Sequence, residues 1–242
     1  MSEWLSRTAR LVGDEAVNNL KDKRVAIFGI GGVGGYVAEA LVRCGIGAFD
    51  LIDKDSISLS NINRQIIATT DTLGKYKVDV MKDRMLSINP DVNVRIYKAF
   101  FLPDNADEFP FEEYDYVVDC VDTVTAKLEI VKRCDRYKIP VISAMGAGNK
   151  LHPEGFKVAD IYKTNVCPLA KVMRRELKKL GIKHLKVVYS EETAIDIKCN
   201  INDGSESEDI GGRKVAPGSC AFVPGAAGLI MAGEVFRDLI EI

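Results

Sequence analysis

Residues 25–41 read VAIFGIGGVGGYVAEAL. An apolar, β-rich run gives way to five glycines within seven positions and then to an apolar helical pattern. A strand that turns into a helix through glycines brings backbone N–H groups and the positive end of a helix dipole to one point, which favours a phosphate. Gly29, Gly31 and Gly34 match G-x-G-x-x-G, with Gly32 between them, and Asp53 follows Gly34 by 19 residues at the end of the next apolar run. That spacing suits an acid on a ribose hydroxyl. The glycine pattern by itself fits NAD as well as ATP, and a tight turn without ligand is its bland alternative.

The segment after the acid separates these readings. DKDSISLSNINRQ, residues 53–65, supplies Asn61, Arg64 and Gln65, and Lys77 follows at the start of a helical pattern. A triphosphate cleaved at its α-phosphorus needs cations and polar donors around the leaving group, whereas a dinucleotide needs few beyond its pyrophosphate. Each residue alone fits an ordinary surface; together they favour ATP. Asp122, in VVDCVDTVTAK, falls just past another apolar run, where its carboxylate would face the carboxyl edge of a sheet. It is a candidate ligand for magnesium, an oxygen-seeking cation, or alternatively a helix N-cap.

Around these motifs, short apolar runs at 24–28, 49–52, 92–97, 115–120 and 139–143 alternate with helical patterns at 33–44, 75–88 and 124–137. The alternation predicts an α/β fold, a doubly wound, mostly parallel Rossmann-like sheet with helices on both faces. Beyond residue 150 the pattern predicts a strand near 156–161, a helix near 168–180, a strand near 185–190, a mobile acidic and glycine-rich loop over 202–214, and a last helix near 225–240. We expect one domain over 1–242, with a nucleotide-binding core of about 20–150 and a substrate-binding and dimerisation extension of about 151–242.

Composition narrows the classes. The 242 residues are ample for one large core. No basic leader precedes an apolar run at the N-terminus, so the expected location is cytoplasmic. The apolar stretch 215–235 is broken by Pro217, Gly218, Pro224, Gly225, Gly228 and Gly233, which suits a buried segment better than a membrane span. Cysteines at 44, 120, 134, 167, 199 and 220 form no C-x-x-C pair, so neither zinc nor a disulfide scaffold is expected. Residues 163–186 carry eight Lys and Arg against Glu176 alone, in a chain of formal net charge −2. Within that stretch Lys171, Arg174, Arg175 and Lys178 share one helical face, either an RNA-backbone contact or a solvated stripe.

Taken together, RTARL (7–11), GIGGVGG (29–35), DKDSISLSNINRQ, LGKYKVDVMKDRMLSINP (73–90) and DCVDT (119–123) resemble the ThiF-like adenylyltransferases. The resemblance implies ATP-dependent adenylation of a carboxylate. It also implies that Gly29, Gly31, Gly32 and Gly34 cradle the nucleotide, that Asp53 and Asp55 contact it, that Asn61, Arg64, Gln65 and Lys77 line its phosphates, and that Asp122 holds magnesium. Arg10 resembles the arginine that reaches a neighbouring subunit's ATP, which implies a homodimer. GAGNKLHP (146–153), KTNVCPLAKVMRREL (163–177) and SCAFVPGAAGLIMAGEV (219–235) are most similar to the branch that dehydrates threonylcarbamoyladenosine in tRNA. The rival substrate is the C-terminal glycine of a small sulfur-carrier protein, and a sulfur-transfer protein partner stays open. In the tRNA reaction the attacking group belongs to the substrate, so no enzyme thiol is required; the rival chemistry often uses a cysteine, and Cys167 and Cys220 are the two to test for it.

Overall fold

In this computed structural model, residues 3–196 and 217–242 are described. The expected mobile loop at 202–214, and Cys199, lie outside them. Five strands run parallel: β1 (Arg24–Phe28), β2 (Ala48–Ile52), β3 (Asn93–Tyr97), β4 (Tyr116–Asp119) and β5 (Val141–Ala144). With β6 (Phe156–Asp160) and β7 (Lys186–Ser190) they make one sheet of order β3-β2-β1-β4-β5-β7-β6, in which β7 is parallel to β5 and only β6 is antiparallel. The strands near residue 150 and beyond therefore extend the same sheet.

The central strands are apolar throughout because both of their faces are covered. Val25 and Ile27 of β1 point into one core, and Ala26 and Phe28 into the other, as the two-residue period of a strand requires. The first core is closed by α3 (Gly34–Arg43) and α4 (Lys77–Ile88), following the two N-terminal helices α1 (Ser6–Val12) and α2 (Asp14–Leu20), and by α7 (Phe222–Leu239). The second lies under α5 (Val124–Tyr137), where Phe28, Phe101, Phe109 and Phe111 interlock with ring centroids 4.8–6.0 Å apart. α6 (Pro168–Lys179) closes a third cluster against β7 through Ala170, Met173 and Leu177.

Predicted elements are recovered to within a few residues at their ends, with one instructive difference. The last helix begins at Phe222 and runs through Pro224. A proline in the first helical turn costs no hydrogen bond, since those N–H groups have no partner inside the helix. One face of this helix is buried, with Val223, Ala227, Met231 and Val235 toward the core while Phe222 and Leu229 are exposed, and among the described residues no helix is long and apolar enough to cross a membrane. Gly225 and Gly228 let α7 cross α3 closely, with a Cβ at Gly228 falling 2.9 Å from Tyr36 Cβ. α1 and α2 have no counterpart among the predicted elements; Leu5 just ahead of them is buried against Gly45, before β2.

Candidate active site

The chain leaves β1 toward β2 on one side, and β4 lies on the other, so the strand order reverses between β1 and β4. In doubly wound sheets the crevice at the carboxyl ends of two such strands is the ligand site. The glycine loop leaves β1 there, and the Asp122 loop leaves β4.

Two glycines are dictated by packing. Gly29 has φ +89°, and a Cβ on it would lie 2.8 Å from the Cys120 carbonyl oxygen. A Cβ on Gly34 would overlap the Gly29 carbonyl oxygen, so the helix can start this close to the strand only with glycine. Gly31 is different: among the described residues, its chain neighbours aside, no atom lies within 4 Å of where its Cβ would stand, and its φ is outside the left-handed region. Gly32 is backed by Pro224, which brings the start of α7 under the loop.

Asp53 follows β2 directly, with its carboxylate turned back on the loop. Its Oδ2 accepts the Ile30 N–H at 2.7 Å, and its Oδ1 accepts the Asp55 N–H at 2.8 Å. Lys77, at the start of α4, places its Nζ 2.7 Å from Asp55 Oδ2 and 3.9 Å from Asp53 Oδ2. Side-chain exposure is 8% at Lys77 and 9% at Asp53 but 50% at Asp55, so a buried cation stands beside the loop with one carboxylate at the rim. Burial pushes the Asp53 carboxyl above its ordinary range, against the pull of the Lys77 charge. The structure brings Asp53, Asp55 and Lys77 together beside the glycine loop.

Asn61 and Gln65 are buried in the connection between β2 and α4. Asn61 Oδ1 accepts the Ser58 N–H at 3.1 Å, while Gln65 Oε1 is buried without a hydrogen-bond partner among the described residues. A buried acceptor left open is unusual in a finished core and expected where a ligand completes the site. Arg64 donates from Nη1 to the Ser60 carbonyl at 2.7 Å, and its Cγ lies 3.6 Å from a Cβ built at Gly32, so its stem lies against the glycine loop. Asn63 donates to the Ser219 carbonyl at 2.9 Å, tying this segment to the start of α7.

Asp122 is exposed, and its Oδ1 accepts a long hydrogen bond from the Thr123 hydroxyl, 3.4 Å away. The N-cap of α5 is Thr123, with no side-chain cap bond, so the capping alternative does not occupy the Asp122 carboxylate. Arg10 stands apart from these groups. It is exposed on α1, which is anchored through Leu5 and Gly45 at the amino-terminal edge of the sheet.

On α6 the basic residues divide. Arg174 donates to the Thr164 carbonyl at 2.9 Å and to its hydroxyl, bracing the loop before the helix. Arg175 and Lys179 pair with Glu176 at 2.7 and 2.8 Å, whereas Lys171 and Lys178 are exposed. The four thus share a helix but not one environment.

Among the described thiols, Cys120 and Cys167 are enclosed, which disfavours nucleophilic work. Burial pushes the Cys120 thiol, beneath the glycine loop, far above its ordinary value. Cys167 is buried, and Cys220 lies 3.9 Å from the Lys150 carbonyl oxygen. His152 and His184 have carboxylate neighbours, Glu154 and Asp160.

Sequence reasoning missed one group. Lys127 and Asp119 are both wholly buried and paired at 3.1 Å behind the Asp122 loop. The available signal was a lysine at the helical spacing of Ile130, Val131 and Cys134, on the buried face of α5.

The fold and the crevice define a nucleotide-binding α/β protein with an acid and a lysine at its glycine loop. The profile of the ThiF family matches residues 5–241, and the chain belongs to that family. It is 42% identical to the tRNA threonylcarbamoyladenosine dehydratase of Bacillus subtilis, over all of this chain and 96% of that one. The crystal structure of the E. coli tRNA N6-threonylcarbamoyladenosine dehydratase in complex with ATP superposes with a TM-score of 0.87 at 32% identity, covering 99% of this chain and 94% of that one. The molybdopterin-synthase adenylyltransferase of E. coli is 36% identical over 54% of this chain and 51% of its own length.

Proposed function

We propose that the chain is an ATP-dependent tRNA threonylcarbamoyladenosine dehydratase. The observation that carries this reading is the buried Lys77 ammonium beside the glycine loop and Asp53, in a chain similar over its whole length to dehydratases of that name. The carboxylate of the threonylcarbamoyl group attacks the α-phosphorus of ATP, and pyrophosphate leaves. The carbamoyl group of the same nucleoside then attacks the activated carbon, expels AMP and loses a proton, so the net change is loss of water. Because that nucleophile is tethered, its effective molarity can reach ~10⁵ M or more without an enzyme thiol.

The chain's own residues bind and orient. Gly31 leaves its backbone open to a phosphate, and Asn61, Arg64, Gln65 and Lys77 supply cations and amides to the polyphosphate. Asp53 fixes the loop amide of Ile30 and adjoins the ribose, with Asp55 at the rim. Asp122, exposed just past β4, would hold a magnesium ion together with phosphate oxygens of the nucleotide. Magnesium there would neutralise charge on the departing pyrophosphate. Arg10, remote from its own chain's loop, serves the ATP of a second copy in a homodimer. Lys171 and Lys178 contact the tRNA backbone, with Arg175 beside them and Arg174 bracing the helix. The core of about 20–150 binds nucleotide, and 151–242 contributes substrate binding and dimerisation, in the cytoplasm.

Purified protein with ATP, magnesium and tRNA bearing threonylcarbamoyladenosine should release AMP and yield a nucleoside lighter by one water in mass spectrometry. Pyrophosphate exchange stimulated only by a sulfur-carrier protein would overturn the assignment.

A further inference from the structure

Lys127 is the most completely enclosed cation among the described residues, and its side chain is aimed at the back of the candidate site. Its Nζ donates to both carboxylate oxygens of Asp119, at 3.1 and 3.2 Å, to the Ser143 hydroxyl at 3.3 Å and to the Ala144 carbonyl at 2.7 Å. The Ser143 hydroxyl donates in turn to Asp119 Oδ2. One ammonium thereby joins the carboxyl ends of β4 and β5 to the first turn of α5. Burying such a pair is seldom the cheapest way to stabilise a core, because both charges lose their water. Its worth must be sought in what it holds still.

What it holds is the loop 120–123. The Cys120 N–H donates to the Phe28 carbonyl at 2.8 Å, fixing the loop's first residue to the end of β1. The Lys127 N–H donates to the Thr123 carbonyl at 3.1 Å, fixing its last residue to α5. Between them, the Val121 N–H donates to Asp119 Oδ1 at 3.2 Å. The orientation of the Asp119 carboxylate, set by Lys127 and Ser143, therefore sets the backbone that presents Asp122.

We propose that Lys127 is a positioning residue for adenylation, acting through Asp119 to hold the 120–123 loop so that Asp122 faces the magnesium-bound polyphosphate. The inference rests on the proposed function for its chemistry and on the hydrogen bonds above for its geometry. A preorganised loop matters because a misplacement of about 1 Å can cost ~100-fold in rate.

The test uses the full chain with Ser143→Ala, which deletes one donor to Asp119, and with the paired change Lys127→Met and Asp119→Asn, which removes both charges together. Amide hydrogen exchange of peptides spanning 120–124 is read without ligand, ATP affinity is read in EDTA, and turnover is read against tRNA and magnesium concentration. The paired variant should exchange faster at 120–124 while β1 keeps the parent's protection, bind metal-free ATP within about threefold of the parent, and lose about 10–100-fold in kcat with KM for tRNA little changed. Ser143→Ala should move the same quantities in the same direction by less. Parent-like loop exchange and kcat in Ser143→Ala and the paired variant would overturn the proposal; if the paired variant fails to fold, Ser143→Ala decides alone. A parent that turns over no ATP would instead defeat the proposed function, and the loop exchange would still judge the role of Lys127.

Discussion

The two glycines at 31 and 34 should separate when each is changed to alanine. At Gly31 a methyl meets no atom of the described residues within 4 Å beyond its chain neighbours, and its φ is outside the left-handed region that disfavours alanine. Folding should therefore be unharmed, and loss of unfolded-chain freedom should add about 0.4–1 kcal/mol of stability. The same methyl would stand where a phosphate oxygen must approach the loop amides. Losing one charge-assisted hydrogen bond of ~1.5–3 kcal/mol weakens ATP binding by about 10–150-fold. At Gly34 the methyl would overlap the Gly29 carbonyl oxygen, and only a shift of α3 or of β1 relieves it. Overpacking of this kind costs about 1–3 kcal/mol or more, so this variant should melt well below the parent. Thermal unfolding without nucleotide and calorimetric titration with ATP read the two effects separately. If Gly31→Ala binds ATP like the parent, the phosphate does not lie on this loop, and the assignment of the crevice fails.

Other outcomes follow from the same geometry. Arg10→Ala and Lys77→Ala should each be inactive, yet mixing the unfolded and co-refolded chains should recover up to about a quarter of parental AMP release, since half the dimers regain one intact site; no recovery would place Arg10 outside the neighbour's site. Lys171→Glu with Lys178→Glu should weaken tRNA binding and lower its salt slope by about 2, leaving melting unchanged. Arg174→Ala should instead lower the melting temperature, because it releases Thr164, and titrations at several salt concentrations distinguish the two. Glu39 is pushed up by burial but more strongly held down by hydrogen bonds from Arg84 and Arg43, so its net shift is below the ordinary value. A lowered acid contributes stability above its unfolded pKa, about 4.3, and loses it as pH falls through the folded value. Glu39→Gln should therefore flatten the acid side of a denaturation profile, and an unchanged slope below that pH would contradict the pairing.

Strand, glycine turn, helix and acid were all legible in residues 25–53, because hydrophobic period and glycine spacing are local properties that packing then preserved. Asp53, Asp55 and Lys77 were found in sequence and do meet, since β2 and the start of α4 end at the same sheet edge. The division of labour on α6 was not legible. Spacing places Arg174 and Lys171 on one face, but only the fold brings Thr164 under Arg174. Nor could spacing place β7 between β5 and β6, or seat Pro224 of α7 behind Gly32, because those contacts join residues far apart in the chain. The Lys127 and Asp119 pair shows the limit most plainly. The helical pattern over 124–137 can be read from the chain alone, because its period is local; whether Lys127 within it finds a carboxylate, a hydroxyl and a carbonyl depends on two strand ends that only the folded sheet brings together.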